Sequence, residues 1–258
     1  MTSETSRPDH ELRLARNSAG LPRLRRGGLQ GIILDFDGVI ADSEPLHLRA
    51  FQATLTEENV PLSSGDYYAR YLGYDDVGLL QALARDRGLA WTDRHVTSLV
   101  ARKGQKLQAL LRGDSVLFPG AADFIRAAAA EVPLAIASGA MKHEILEVVE
   151  AAGLVDMFVA IVASGDTPES KPSPAPYLMA FERLRGHTRL GLDPRRCVAI
   201  EDSKWGLESA HGAGLRCVGV TSSYGADELP RAELIVGGLN ELTVAALDRL
   251  CAGTLSNP

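Results

Sequence analysis

The chain has 258 residues, 45% of them hydrophobic, and a formal net charge of −6 at pH 7. This length allows one large domain or a core plus a smaller domain, and the mild acidity argues against a nucleic-acid partner. No apolar run reaches transmembrane length, so we expect no membrane partner. The cysteines, Cys197, Cys217 and Cys251, lack metal-ligand spacing and indicate a reducing, cytoplasmic location.

The first part of the chain contains a polar segment, then an apolar segment, then an acidic motif. Residues 1–28 are polar and rich in arginine without an apolar stretch behind them, which predicts a disordered tail and not a secretory signal. Residues 29–36 are apolar and rich in β-branched side chains, which predicts a buried strand. This strand leads into Asp35-Phe36-Asp37-Gly38.

A helical insertion is predicted directly after this strand. Apolar residues recur at helical spacing from residue 44, and helical patterns continue at 65–72, 76–87 and 92–111. Ser64 and Thr92 are the expected N-caps. No strand-like run interrupts residues 45–113, so this segment is expected to be all-helical.

The remainder alternates between helical and strand patterns. Helices are predicted at 121–130, 142–152, 175–185 and 205–213, and strands at 132–137, 158–163, 197–200, 216–220 and 234–236. Such alternation predicts an α/β fold with a parallel, doubly wound sheet.

Asp35 and Asp37 follow the first strand, where extended backbone would point both side chains the same way. Asp-x-Asp-Gly can also be a simple turn. Ligands of open parallel sheets bind at the carboxyl ends of the strands, however, and two carboxylates there suit a hard cation such as Mg²⁺.

Three later stretches follow other predicted strands. Ser138 and Gly139 precede a helix, and a hydroxyl with exposed backbone N–H groups suits a phosphate oxygen. Lys171 lies between prolines that restrict the backbone, and its ammonium could neutralise both Asp35 and a phosphate. Glu201 and Asp202 could complete an oxygen shell for Mg²⁺.

Together these groups predict phosphoryl transfer. Asp35 is placed to attack phosphorus, and Asp37 to protonate the leaving oxygen and later deprotonate water. The cation, the lysine and the backbone amides would offset the charge of the transferring group.

The four motifs in this order resemble the haloacid dehalogenase superfamily over about residues 29–239. The helical insertion is similar to the C1 cap of β-phosphoglucomutase and small sugar-phosphate phosphatases. The resemblance implies a Rossmann-like core at 29–43 and 117–258 and a cap at 44–116. It implies Asp35 as nucleophile and Asp37 as acid/base. Asp35, the Asp37 carbonyl and Asp202 would bind Mg²⁺, with Glu201 in or beside the shell, and Ser138, Gly139 and Lys171 would hold phosphate.

Within this subgroup the sequence favours a phosphatase over a sugar phosphomutase, which stays the alternative. The mutase pattern has an arginine after the cap glycine matched by Gly73, whereas this chain reads Tyr74-Asp75-Asp76. Gapless spacing places Ala101 at the mutase's cap lysine, beside Arg102 and Lys103. His47 fits either activity. With Tyr74 it is a candidate substrate residue of the cap.

Two other classes of protein fit this sequence less well. A receiver domain of a signalling relay is shorter and lacks the insertion, and a nucleotide-binding glycine motif is incomplete at Gly212-Ala213-Gly214. We therefore expect a small phosphorylated metabolite as partner, and a monomer or small homo-oligomer.

Overall fold

The computed structural model describes residues 28–72, 74–111, 116–188 and 191–253. Nearly all of the predicted tail at 1–28 lies outside these residues. The chain divides into two compact units, the first made of Met1–Asp42 and Val116–Pro258 and the second of Ser43–Ser115. Each unit has its own cluster of buried apolar side chains.

A six-stranded parallel sheet forms the centre of the first unit. Its strands are β1 Gly31–Leu34, β2 Leu134–Ala137, β3 Phe158–Val162, β4 Cys197–Glu201, β5 Arg216–Val220 and β6 Leu234–Val236. They lie in the order β3-β2-β1-β4-β5-β6. Every residue of β1, β2 and β4 is buried, as expected for strands covered on both faces.

The second unit is helical over its described residues, with α1 Glu44–Thr56, α2 Asp76–Arg87 and α3 Asp93–Leu111. The apolar residues spaced along α1, including Leu48, Phe51 and Leu55, are buried in its core. Thr92 accepts a hydrogen bond from the backbone N–H of His95, so the N-cap predicted there is confirmed.

The segment between α1 and α2 differs from its prediction. One helical turn at Ser64–Asp66 continues into a π-helix at Tyr67–Tyr71, where a single α-helix was expected. The predicted N-cap Ser64 is wrong. Ser63 has the extended backbone that a cap requires, and its Oγ accepts the N–H of Asp66 at 3.0 Å.

Helices on the two faces of the sheet complete the first unit. They are α4 Ala121–Ala129, α5 Lys142–Ala151, α6 Ala175–His187, α7 Lys204–Gly212 and α8 Val244–Ala252, the last of which was not predicted. α6 packs on β1, β2 and β3, and α7 packs on β4 and β5. In the part of the chain that the structure describes, no helix combines the length and apolarity needed to cross a membrane.

The order of the strands determines where a ligand can bind. β1 lies between β2 and β4, with Leu34 paired to Ile136 on one side and to Ile200 on the other. The chain order reverses at β1, and a crevice opens at such a switch point beyond the carboxyl ends of the strands. Asp35, Ser138 and Asp202 each follow one of these three strands.

Candidate active site

Lys171 lies between β3 and α6 and joins two acidic residues from different strands. Its Nζ lies 3.0 Å from Oδ2 of Asp35 and donates a hydrogen bond of 2.6 Å to Oε1 of Glu201. The ammonium also lies 5.1 Å from the ring centroid of Tyr177, on α6. The structure therefore brings Lys171 and Asp35 together, as the sequence predicted.

Glu201, the last residue of β4, is fully buried and accepts donors on both oxygens. Oε1 receives Lys171 Nζ and the Tyr177 hydroxyl at 3.1 Å. Oε2 receives the backbone N–H groups of Asp202 and Ser203 and the Ser203 hydroxyl. Two carboxylate oxygens offer about four acceptor sites, so these donors occupy the group. Glu201 therefore holds Lys171 and the start of the next loop in place.

Three buried carboxylates lie together at this point. Asp35, Glu201 and Asp202 each place an oxygen within 4.8 Å of the others. Burial, followed by the charge of Glu201, raises the pKa of Asp35 well above its usual range and that of Asp202 to about 7. Burial is the largest single influence on Glu201 and opposes its ionisation, but the Lys171 charge and the hydrogen bonds to Glu201 together hold its pKa below the usual value. If all three carboxylates were ionised, their negative charge would exceed what the single Lys171 ammonium offsets.

This donor set fits a hard divalent cation. Its ligand atoms are carboxylate oxygens, which Mg²⁺ prefers over nitrogen or sulfur. The raised pKa values of Asp35 and Asp202 show that added positive charge would be stabilised there. With Glu201 occupied by its donors, the oxygens suited to Mg²⁺ are those of Asp35 and Asp202.

Asp37 lies close to Asp35 but outside this group of three. β1 ends at Leu34, so the alternation of an extended strand does not continue to Asp37. The backbone turns instead, with the N–H of Gly38 bonded to the Ala41 carbonyl at 2.9 Å. Asp37 is half-buried, and its charge is one of those that raise the pKa of Asp35.

The loop after β2 offers fewer donors than expected. The N–H of Ser138 bonds to Val162, that of Ala140 to Ser138 Oγ, and that of Met141 to Glu144. Within the described residues, the exposed Gly139 is the position in this loop whose N–H stays available. Because Ser138 Oγ accepts from Ala140, its hydroxyl hydrogen can be donated elsewhere. This loop therefore has one amide and one hydroxyl available for a ligand, not a row of amides.

Sequence reasoning missed three side chains at this site. The sequence pattern places Tyr177 in a helix and assigns no role to the loop after β5. There the Ser222 hydroxyl donates to the Gly38 carbonyl and the Ser223 hydroxyl donates to Oδ2 of Asp202. The sequence signal for these residues is a serine pair that begins two positions after a predicted strand, a pattern that is common in ordinary turns.

The two candidate substrate residues of the second unit, His47 and Tyr74, differ in their surroundings, and Lys103 lies beside the first of them. Lys103 is buried and bonds to both carboxylate oxygens of Asp76, at 2.8 and 2.9 Å. Its Nζ also lies 3.0 Å from Nδ1 of His47. Burial, reinforced by the Lys103 charge, lowers the pKa of His47 to about 3, so its ring is neutral. Tyr74 is exposed.

This arrangement corrects one reading of the sequence. Gapless spacing places Ala101 at the mutase's lysine position, but Lys103 supplies a buried lysine in the same stretch, whereas Arg102 pairs with Glu57 and Glu58. The acidic stretch after Gly73 is already engaged, because Asp75 caps α2 through the N–H of Gly78 and Asp76 binds Lys103. Gly73 itself lies outside the described residues.

Comparison with known proteins decides the family. The profile of the haloacid dehalogenase-like hydrolases matches residues 29–214. The chain belongs to this family. Among relatives of this hydrolase, protein CbbY from Rhodobacter capsulatus is 31% identical over 237 residues, covering 86% of this chain and 99% of that protein. A phosphoglycolate phosphatase from Neisseria meningitidis is 30% identical over 230 residues, covering 83% and 92%.

A solved structure extends the likeness to the fold. CbbY from Rhodobacter sphaeroides, in a mutant form bound to xylulose-(1,5)bisphosphate, superposes with a TM-score of 0.74 at 28% identity, covering 85% of this chain and 99% of that chain. The predicted superfamily, the α/β fold class and the assignment of this hydrolase as a phosphatase are confirmed.

Proposed function

We propose that the chain is a Mg²⁺-dependent phosphatase that hydrolyses a small phosphomonoester, a sugar phosphate, through an aspartyl-phosphate at Asp35. The observation that carries this proposal is the convergence of Lys171, Asp35, Glu201 and Asp202 at the carboxyl ends of β1 and β4. Bound Mg²⁺ would offset the charge of the carboxylates and of the phosphoryl group. Asp35, Asp202 and the backbone carbonyl of Asp37 would hold it.

In the first step an oxygen of Asp35 forms a bond to phosphorus while the ester P–O bond breaks. The proton of Asp37 passes to the leaving oxygen, so the alcohol departs neutral. In the second step Asp37 takes a proton from water, the water oxygen bonds to phosphorus, and the bond to Asp35 breaks. Inorganic phosphate leaves, and both aspartates return to their starting states.

The phosphoryl oxygens would be held by three groups of the first unit. Lys171 supplies an ammonium that is positioned by Glu201, and Ser138 supplies a hydroxyl. The N–H of Gly139 supplies the third donor. Such fixed donors stabilise the transferring group without having to reorganise during the reaction.

Two features support a sugar monophosphate as substrate. One relative was solved with a sugar bisphosphate, which supports a sugar, and another is named for phosphoglycolate, which is a small monophosphate. In the helical unit, proposed as the substrate-selecting cap, the charge of Lys103 is already neutralised by Asp76, which weakens its attraction for a second phosphate. We therefore expect the distal part of the substrate to carry hydroxyl groups.

The test is phosphate release from a panel of sugar mono- and bisphosphates by the purified protein. We expect hydrolysis of monophosphates with Mg²⁺, none in EDTA, and none by Asp35→Asn. The exposed Asp42, changed to asparagine, is the matched control and should leave turnover unchanged. Full activity in EDTA, or interconversion of hexose monophosphates with α-glucose bisphosphate, would contradict the proposal.

A further inference from the structure

The loop after β5 reaches two neighbouring loops of the candidate site. β5 pairs with β4, with Glu201 opposite Gly219, and β4 pairs with β1. From this position the Ser223 hydroxyl donates to Oδ2 of Asp202, in the loop after β4. The Ser222 hydroxyl donates to the carbonyl of Gly38, in the loop after β1. Two adjacent hydroxyls therefore tie together the loops that carry Asp202 and Asp37.

The contact between these two loops is direct. Gly38 has φ +74°, and a Cβ there would lie 1.9 Å from Oδ2 of Asp202 and 3.0 Å from Oγ of Ser223. Glycine tolerates this conformation and leaves the space that the carboxylate occupies. The same oxygen of Asp202 thus touches the Gly38 backbone and receives the Ser223 hydroxyl.

The Asp202 carboxylate needs such a support because, in the ionised form that would bind Mg²⁺, its neighbours repel it. Asp35 and Glu201 place carboxylate oxygens within 4.8 Å of it. Like charges at this distance in a buried site push one another apart, and a side chain with a free torsion would turn toward solvent. A hydroxyl donor on Oδ2 opposes that rotation.

We propose that Ser222 and Ser223 form a hydroxyl clamp that positions the Asp202 carboxylate and the Asp37–Gly38 turn for Mg²⁺. This inference rests on the proposed function above. Both serines are positioning residues, since they act through Asp202 and the backbone next to Asp37. Groups that orient metal ligands in this way typically contribute about 10- to 100-fold to metal affinity.

The test measures Mg²⁺ binding by calorimetry on Ser223→Ala, Ser223→Thr and Ser222→Ala, beside turnover as a function of Mg²⁺ concentration. We expect Ser223→Ala to raise the Kd for Mg²⁺ by about 10- to 100-fold and Ser222→Ala by a smaller factor. Threonine restores the hydroxyl and should recover most of the affinity. Saturating Mg²⁺ should return much of kcat in each variant, because the catalytic groups remain.

Thr221→Val is the matched control. Thr221 lies at the same strand end, but its hydroxyl faces the Val236 carbonyl at 3.5 Å and not the metal ligands. Its loss should change the Kd for Mg²⁺ less than about twofold. Circular dichroism and the metal-free melting temperature report folding, and Ser223→Cys replaces the alanine variant if that variant does not fold.

Two results would overturn the clamp, and they are distinguishable. If wild type binds Mg²⁺ and a folded Ser223→Ala or Ser223→Cys binds it equally well, the clamp alone is refuted. If wild type binds no Mg²⁺ and works fully in EDTA, the proposed function fails and the clamp fails with it.

Discussion

The carboxylate of Glu201 fills the space where a side chain at position 206 would begin: a Cβ on Gly206 would lie 1.7 Å from Oε1 of Glu201. Gly206 lies on α7, so the absence of its side chain brings that helix against the end of β4. A helix would ordinarily be more stable with alanine here, and this contact reverses the preference.

Gly206→Ala should therefore destabilise the protein by about 2 kcal/mol or more, because the methyl group displaces a buried carboxylate that holds Lys171. The measurement is urea unfolding at pH 7. Gly186→Ala, on α6, is the control. Its Cβ would meet nothing within 4 Å, so this change should stabilise by about 0.5 kcal/mol. Equal effects at the two positions would contradict the assigned role of Gly206.

Asp37→Asn should lower kcat by about 10²- to 10⁴-fold, because asparagine can neither protonate the leaving oxygen nor deprotonate water. Binding of Mg²⁺ should persist, since a main-chain oxygen is the proposed ligand. Calorimetry and steady-state kinetics separate these effects. Loss of Mg²⁺ binding in a folded Asp37→Asn variant would instead assign the side chain to the metal.

Asp76→Asn should destabilise the second unit, because it leaves the ammonium of Lys103 buried without its countercharge. Because Asp76 is partly exposed, the loss of unfolding free energy should be about 2 kcal/mol, which is less than for breaking a fully buried ion pair. Adding Lys103→Met should recover most of this loss. Glu57→Gln removes an exposed partner of Arg102 and Lys106 and should change the unfolding free energy little. A double variant no more stable than Asp76→Asn would contradict the interpretation.

The neutral His47 makes stability depend on pH. Its pKa is about 3 in the folded state against 6.5 when unperturbed, so the unfolded chain binds more protons between these values. The stability that the neutral His47 contributes is fully present above pH 6.5 and is lost as the pH falls toward 3. Between pH 7.5 and 5.5 this histidine should account for about 1 kcal/mol of lost stability.

The measurement is the difference in urea unfolding free energy between those two pH values. Between the two pH values, the unfolding free energy of His47→Gln should fall by about 1 kcal/mol less than that of wild type. His143→Gln, at an exposed position on α5, should show the same fall as wild type. An unchanged pH dependence in His47→Gln would show that the ring is not held neutral.

Local patterns in the sequence predicted most of the first unit. Each strand of the sheet is a short apolar run, so its period and bounds are visible within a few residues. Asp35, Ser138 and Asp202 each follow such a run, and parallel pairing of strands brings their carboxyl ends to one edge. Lys171 was found because its flanking prolines marked an unusual loop.

What the sequence did not reveal depends on contacts between distant residues. Ser222 bonds to a carbonyl 184 positions away, and Tyr177 reaches Glu201 across 24 positions. No local period encodes either contact. The saturation of Glu201 by its donors and the neutralisation of Lys103 by Asp76 likewise require the folded chain.

The candidate site draws its groups from the loops after β1, β2, β3, β4 and β5, the first at Asp35 and the last at Ser223. During translation, a nascent chain therefore holds Asp35, the proposed nucleophile, long before it holds the serines of the proposed clamp. A ribosome-bound intermediate that stops short of β5 has Asp202 without its hydroxyl partner. Catalytic competence would then begin late in synthesis, when the fifth strand joins the sheet.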